Sequence, residues 1–328
     1  LAFVASAYSG KGMTGNTLPM ILLADDAGIS VAAAVIQRGG LVAVPTETVY
    51  GLAARADSDV AVAAIYRAKG RPDFNPLIVH IADIAAGEEL AVFDVRAKLL
   101  AAHFWPGALT MVLPKRANAP LAGAVTAGLP AVALRCPAHP AMRALLMQSG
   151  LPLAAPSANR SGGVSPSCAA HVAASLGVRV ELILDGGNCS AGIESTIVAL
   201  REGGGWQILR PGPITEAEIS GIMGGKSDVT ASDGAIEAPG QLASHYAPGK
   251  PMRLEAADAE ADEFHIGFGA VAGDINLSPS ADLAEAAAQL YVALHAAATA
   301  LHKRIAVASI PQQGIGAAIN DRLRRAAA

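Results

Sequence analysis

Gly39-Gly40-Leu41-Val42-Ala43-Val44-Pro45-Thr46-Glu47-Thr48-Val49-Tyr50-Gly51-Leu52 decides the fold class. An apolar strand runs into hydroxyls, a carboxylate and a phenol. Val60 to Ala68 has helical spacing, and Lys69-Gly70-Arg71-Pro72 follows it. Strand, polar loop, helix and then cations is how an α/β protein gathers polar groups at strand ends around a charged small molecule.

Outward from that stretch, short apolar strands alternate with amphipathic helices. The spacing predicts helices over 29–38, 91–103, 139–149 and 171–176, and strands over 77–81, 109–113, 131–134, 153–155 and 182–184. Segments 195–200 and 206–209 read as a hairpin across Glu202-Gly203-Gly204-Gly205. After Arg210-Pro211-Gly212 the texture turns to Gly, Ser, Asp and Pro, with a short helix over 215–223. A second α/β run then begins: strands at 252–254 and 265–268, a long helix over 281–304, a strand over 305–310 and a final helix from Gly316. The expected organisation is an extension (1–23), a main α/β domain (24–212), a linker (213–250) and a small C-terminal α/β domain (251–328).

Of 328 residues, 52% are hydrophobic and 16% charged, enough for sizeable cores and against disorder. Aromatics are only 4%, which suits α/β layers better than a β-sandwich. The net charge of −4 argues against a protein that clamps long nucleic acid over many phosphates. Cys136, Cys168 and Cys189 are odd in number and show no zinc spacing, so reduced thiols and a cytoplasmic setting are expected. The first 23 residues lack a signal-peptide pattern. Met13 is a natural start, which would make residues 1–12 an appendage. No run spans a membrane.

Chemistry concentrates in a few places. Walker A and dinucleotide glycine motifs are missing, so a nucleotide needs another holder. Lys69 and Arg71 offer a point charge and a planar fork for phosphate, although a Lys-x-Arg after a helix is commonly a solvated end. Ser157-Ala158-Asn159-Arg160-Ser161-Gly162-Gly163-Val164-Ser165-Pro166-Ser167 follows an apolar strand. It reads equally as an anion cradle or as a turn with an N-cap at Ser165 or Ser167. His80 lies in an apolar strand. Arg135 ends another and needs a partner, either a substrate carboxylate or an internal acid. Thr48 and Tyr50 are pocket donors or packing; Ser195 opens a strand; Arg210 precedes a turn. Ser244-His245-Tyr246-Ala247-Pro248 in the linker reads as a lid over the pocket or a clip to the second domain. With no catalytic triad, metal cluster or carboxylate pair, the inventory suits positioning and charge stabilisation, as in phosphoryl or nucleotidyl transfer.

The motifs GGLVAVPTETVYGL, YRAKGRPDFNPLIVHI, FWPGALTMVL, PSANRSGGVSPS and GIESTIV, in this order, resemble the Sua5/YrdC family of threonylcarbamoyl-AMP synthases over 24–212. The linker His245-Tyr246-Ala247-Pro248 and Gly314 to Leu323 resemble its two-domain Sua5 branch. That resemblance implies a twisted, open mixed sheet plus a small Rossmann-like C-terminal domain. It implies a synthase that makes L-threonylcarbamoyl-AMP and pyrophosphate from L-threonine, bicarbonate and ATP for t6A at tRNA position 37. It places Lys69, Arg71, Ser157 and Asn159 in the active site. Thr48, His80, Arg135, Ala155 and Ser195 fall on the threonine side. Arg71, Asn75, Ala131, Ser157, Ser165, Arg210 and His245 fall on the ATP side, with Ala131 and Ala155 contributing backbone. ATP would arrive with Mg2+, without a resident metal or prosthetic group. Hand-over to a tRNA threonylcarbamoyl transferase and a weak tRNA contact are the implied partners. Two departures stand out: Ala199 where the family often has Asp, and Ser167 where Thr is frequent. The alternatives are a non-catalytic double-stranded RNA or tRNA binder, and a carbamoyl-transfer enzyme akin to hydrogenase maturation proteins. The latter would want zinc-type cysteines and an acylphosphatase segment, which are missing.

Overall fold

The computed structural model describes residues 19–225, 227, 237–241 and 245–328. Residues 1–12, Met13 and Ser244 therefore lie outside the described residues. The elements of the first part are β1 (Met20–Leu23), α1 (Asp26–Gln37), β2 (Val42–Val44), β3 (Gly51–Arg55), α2 (Asp59–Lys69), β4 (Ile78–His80), α3 (Ile84–Glu88), α4 (Val95–Phe104), β5 (Leu109–Pro114), β6 (Ala131–Arg135), α5 (Pro140–Ser149), β7 (Leu153–Ala154), α6 (Ala169–Leu176), β8 (Leu182–Asp185), β9 (Thr196–Leu200), β10 (Trp206–Arg210) and α7 (Glu216–Met223). There follow β11 (Met252–Arg253), β12 (Glu263–Gly267), β13 (Ile275–Asn276), α8 (Leu283–Thr299), β14 (Arg304–Val307) and α9 (Gly316–Ala327).

Ten strands form one mixed sheet in the order β1-β8-β2-β3-β7-β4-β6-β5-β9-β10. The last four form a parallel sheet, β11-β14-β12-β13. Local chemistry sets the helix ends. The Asp25 carboxylate accepts from the Gly28 amide at 2.8 Å, capping α1. Ser58 caps α2 in the same way, and Gly70 ends it in the left-handed region at φ +61°. Arg71 follows that turn, and its side chain reaches the carbonyls of Asn75 and Pro76. Leu52, Ile65, Leu100 and Leu134 fill the main core, and truncating one of them to Ala would cost about 2–5 kcal/mol.

Several details differ from the sequence reading, among them the long helix expected over 281–304, which ends at Thr299 so that Arg304 opens β14, and β13, which went unseen. Met20–Leu23, assigned above to an extension, is the edge strand paired in parallel with β8. β3 went unseen, although β2 and β3 pair antiparallel (Val44 with Gly51), so the loop 45–50 is a strand-to-strand connection. The helix expected from residue 91 starts at Val95, because Ala91 bridges to Lys115, and α3 precedes it. α6 is capped by Cys168 without a side-chain bond, which frees Ser165 and Ser167 for other contacts.

The two parts share apolar surface. The C-terminal core of Phe264, Ile266, Leu290 and Leu294 is continued by Val49, Val164 and Ile193 of the first part. Gly192, at φ +68°, explains how close α8 comes: a Cβ there would sit 2.4 Å from the Ala288 backbone.

Candidate active site

The central strands deliver one side chain each to a common pocket. His80 ends β4 and Arg135 ends β6, and the parallel register sets them side by side. Thr48 comes from the β2–β3 loop, Ser157 follows β7, Ser195 precedes β9 and Arg210 ends β10. With Arg71, Ala155, Glu194, Gly240, His245 and Tyr246 they line a cavity of about 50 Å³.

Arg135 has an internal acid. It lies 2.6 Å from Glu47 and donates to Thr48 Oγ1 at 2.8 Å. Burial alone would raise the Glu47 carboxyl, but the Arg135 charge and hydrogen bond outweigh it and hold the carboxyl below its ordinary value. His80 is pushed down to about 3 by burial and by Arg135, so its ring is neutral. Its Nδ1 is buried without a protein partner.

On the other flank, Arg71 donates to the carbonyls of Asn75 and Pro76 at 3.2 and 3.0 Å. Burial brings its guanidinium down to about 10, still charged at neutral pH. Arg210 donates to Ser195 O and Oγ, both at 3.1 Å, and Ser195 Oγ meets Thr110 at 2.7 Å. Burial lowers His245 to about 3, with Lys69, Arg71 and Arg210 adding repulsion against the pull of Glu194.

Five expected residues do not line the cavity: Lys69, Asn75, Ala131, Asn159 and Ser165. Lys69 brackets the loop after β7, donating to the carbonyls of Ser157 at 2.6 Å and Asn159 at 2.5 Å. Burial and the Arg71 charge push its ammonium well below the usual lysine range. Asn159 donates to the Arg160 and Gly163 carbonyls at 2.8 Å each, closing the same loop. Asn75 is buried beside Arg71, with its Oδ1 lacking a protein partner. Ala131 starts β6, at the opposite end from Arg135. Tyr50 is packing: its hydroxyl donates to Gly187 O at 2.8 Å, on the far side of the loop.

Sequence reasoning passed over Glu194. Its carboxylate accepts from Ser165 Oγ at 2.5 Å, Tyr291 Oη at 2.8 Å and Arg322 Nε at 3.1 Å. Burial would raise it, but the charges of Arg322 and Arg210 and these donors bring it down to about 2. The signal lay in Ile193-Glu194-Ser195, an acid between an apolar residue and a strand, which needs buried donors. Among the described residues no three His, Cys, Asp or Glu side chains group to hold a metal, and no helix is long and apolar enough to cross a membrane.

Forks, hydroxyls and a neutral imidazole converge at the ends of a large mixed sheet, a pocket of the α/β enzyme class whose chemistry suits an anionic small molecule. The chain belongs to the Sua5/YrdC family. A family model described as "Telomere recombination" matches residues 34–212, and one described as "Threonylcarbamoyl-AMP synthase, C-terminal domain" matches 214–328. A threonylcarbamoyl-AMP synthase of Bacillus subtilis is 41% identical, over 93% of this chain and 94% of its own. One from Pyrococcus abyssi is 39% identical, over 91% and 93%. The structure of P. abyssi Sua5 complexed with L-threonine superposes with a TM-score of 0.85 at 35% identity, covering 94% of this chain and 97% of that one. Full-length HypF, in its phosphate- and nucleotide-bound form, shares the fold of part of the chain: TM-score 0.50, 20% identity, 57% of this chain and 30% of that one.

Proposed function

We propose that this protein is an L-threonylcarbamoyladenylate synthase, converting L-threonine, bicarbonate and ATP into threonylcarbamoyl-AMP, pyrophosphate and water. The supporting observation is one cavity with two flanks. Thr48, His80, Arg135 and Ser195 suit an amino acid on one; Arg71, Arg210 and His245 suit a nucleotide on the other. The threonine amine, once deprotonated, attacks carbon dioxide derived from bicarbonate. The carbamate oxygen then attacks the α-phosphorus, and pyrophosphate leaves. Arg71, with Lys69 behind it, faces the charge that grows on the leaving group. Arg135 and Thr48 hold the amino-acid carboxylate, with Glu47 giving up part of the Arg135 fork. Magnesium enters on the ATP phosphates, keeping most of its water shell.

A cavity of about 50 Å³ is far below the roughly 300 Å³ of ordinary ligand sites. The segment that brings Gly240, His245 and Tyr246 to the cavity therefore has to lift for substrates and settle over the adenylate, shielding it from hydrolysis. We read 20–212, edge strand β1 included, as the catalytic domain, 213–250 as linker and lid, and 251–328 as the domain that seats the lid. The product then passes to a tRNA threonylcarbamoyl transferase for t6A formation. Three unbridged cysteines and the use of ATP suit the cytoplasm. The test is pyrophosphate release by the purified protein: it should require threonine and bicarbonate together. Release without either co-substrate, or tight salt-dependent tRNA binding with no turnover, would overturn the assignment.

A further inference from the structure

We propose that Arg322, in the C-terminal domain, is a positioning residue of the active site: its guanidinium fixes Glu194 on the pocket wall and seats the lid residue Tyr246. The proposal deepens the synthase reading and rests on it for its kinetic arm. Arg322 is completely buried. Its Nε reaches Glu194 Oε2 at 3.1 Å and its NH2 the Glu194 carbonyl at 3.4 Å. NH1 donates to Pro211 O at 2.7 Å and Asp321 Oδ2 at 3.0 Å. The guanidinium carbon lies 5.7 Å from the centroid of the Tyr246 ring, which stacks on Tyr291 at 5.7 Å. Only a planar fork of five donors meets so many acceptors at once; an ammonium cannot.

Glue between domains would need none of these particular partners. Glu194 and Tyr246 both line the substrate cavity, one on the wall and one in the lid. The second oxygen of Glu194 holds Ser165, while Pro211 follows Arg210 directly. The next turn of α9 takes the lid backbone itself: the His245 amide donates to Arg325 O at 3.0 Å. From the other side, the Ala247 amide donates to Gly162 O at 2.8 Å. The lid is thus pinned between the catalytic loop and α9, with Arg322 at the crossing. Buried ion pairs add little net stability against apolar replacements of equal volume, so a geometric role is the better account of a fully buried arginine here.

The experiment uses the full chain with Arg322→Met and Arg322→Lys, and two readouts. The first needs no reaction: hydrogen exchange at the His245 and Ala247 amides, which should quicken at least about 10-fold in Arg322→Met while β5 and β6 keep their protection. The second is turnover, in which Arg322→Met should lower kcat for adenylated carbamate at least about 10-fold and raise the pyrophosphate released per product retained, with Arg322→Lys intermediate. Arg322→Met and Tyr246→Leu should be non-additive, the double variant being no worse than the poorer single. Unchanged exchange at the two amides, or a lowered Tm with kinetics and product retention intact, overturns the proposal. Should Arg322→Met fail to fold, Tyr291→Phe removes one donor to Glu194, and the same two readouts decide. Wild-type turnover separates the failures: its absence sinks the reaction, while the exchange data still judge the clamp.

Discussion

Lys69 donates to two carbonyls of its own chain, those of Ser157 and Asn159. Its first task is to shape the loop that carries Ser157 and Asn159, and its charge comes second. Replacing it with Met should therefore do two kinds of harm: KM for ATP should rise as the loop loosens, and kcat should fall about 100-fold as leaving-group charge goes unmet. Initial-rate kinetics separate the two. Burial holds both the Lys69 ammonium and the His245 ring below their ordinary proton affinities, amid Arg71 and Arg210. A bound triphosphate reverses the sign of that field, so ATP binding should take up protons. Titration calorimetry in buffers of differing ionisation enthalpy should show this; equal heats in all buffers would refute it. Most of this site was legible residue by residue, because Thr48, His80, Arg135, Ser157 and Ser195 each stand at a strand end in the sequence. Glu194 was not, since its donors Tyr291 and Arg322 lie about a hundred positions away and only tertiary packing brings them in.

At the scale of elements, the polar loop between β2 and β3 teaches most. Gly51-Leu52-Ala53-Ala54-Arg55 is strand by pairing and nearly neutral by propensity, so its alanines hid it. Conversely, Arg135 at the end of an apolar strand announced its need for a partner, and the loop supplied Glu47. The approach of α8 to Gly192 was invisible in the sequence. A methyl there meets the helix backbone at 2.4 Å in a left-handed conformation, and neither side can yield cheaply. Gly192→Ala should cost about 1–3 kcal/mol or more and loosen the second domain; thermal denaturation and exchange along α8 test this. In the lid, His245→Ala should let the adenylate escape, with pyrophosphate still released but less product recovered. Full recovery would show that His245 does not guard the intermediate.

The whole molecule is held by apolar contacts and by polar ones of defined charge. His171 and His295 stack across the two parts, with ring centroids 3.8 Å apart. His171 takes Ser167 Oγ at 3.2 Å, and His295 reaches Ser165 O at 3.1 Å. Burial lowers His171 to about 4, and repulsion from His295 lowers it further in the same sense. An unfolded chain binds these protons near pH 6.5, so between there and about pH 4 it holds more protons than the native state. The stability this pair contributes is complete above pH 6.5 and falls as the solution is acidified. Melting across pH 7 to 4.5 should show a falling Tm, with a shallower slope in His171→Phe; parallel slopes would rule the pair out. The two-part architecture was readable from the texture change after Arg210, but the docking was not, because Val49, Val164 and Ile193 look like ordinary core residues. Residues 19–212 expressed alone, which keep the edge strand β1, would expose these three to water, and should melt lower and bind a hydrophobic dye that the full chain ignores.

The narrowness of the cavity reaches beyond shape. On the lid mechanism proposed above, a flap that is down most of the time makes an empty molecule nearly blind to its nucleotide, and the measured dissociation constant becomes the intrinsic one divided by the fraction of time spent ajar. Sequence changes that jam the flap half-raised would thus look, on a binding isotherm, like improvements, while the same molecules would squander their unstable adenylate in solvent.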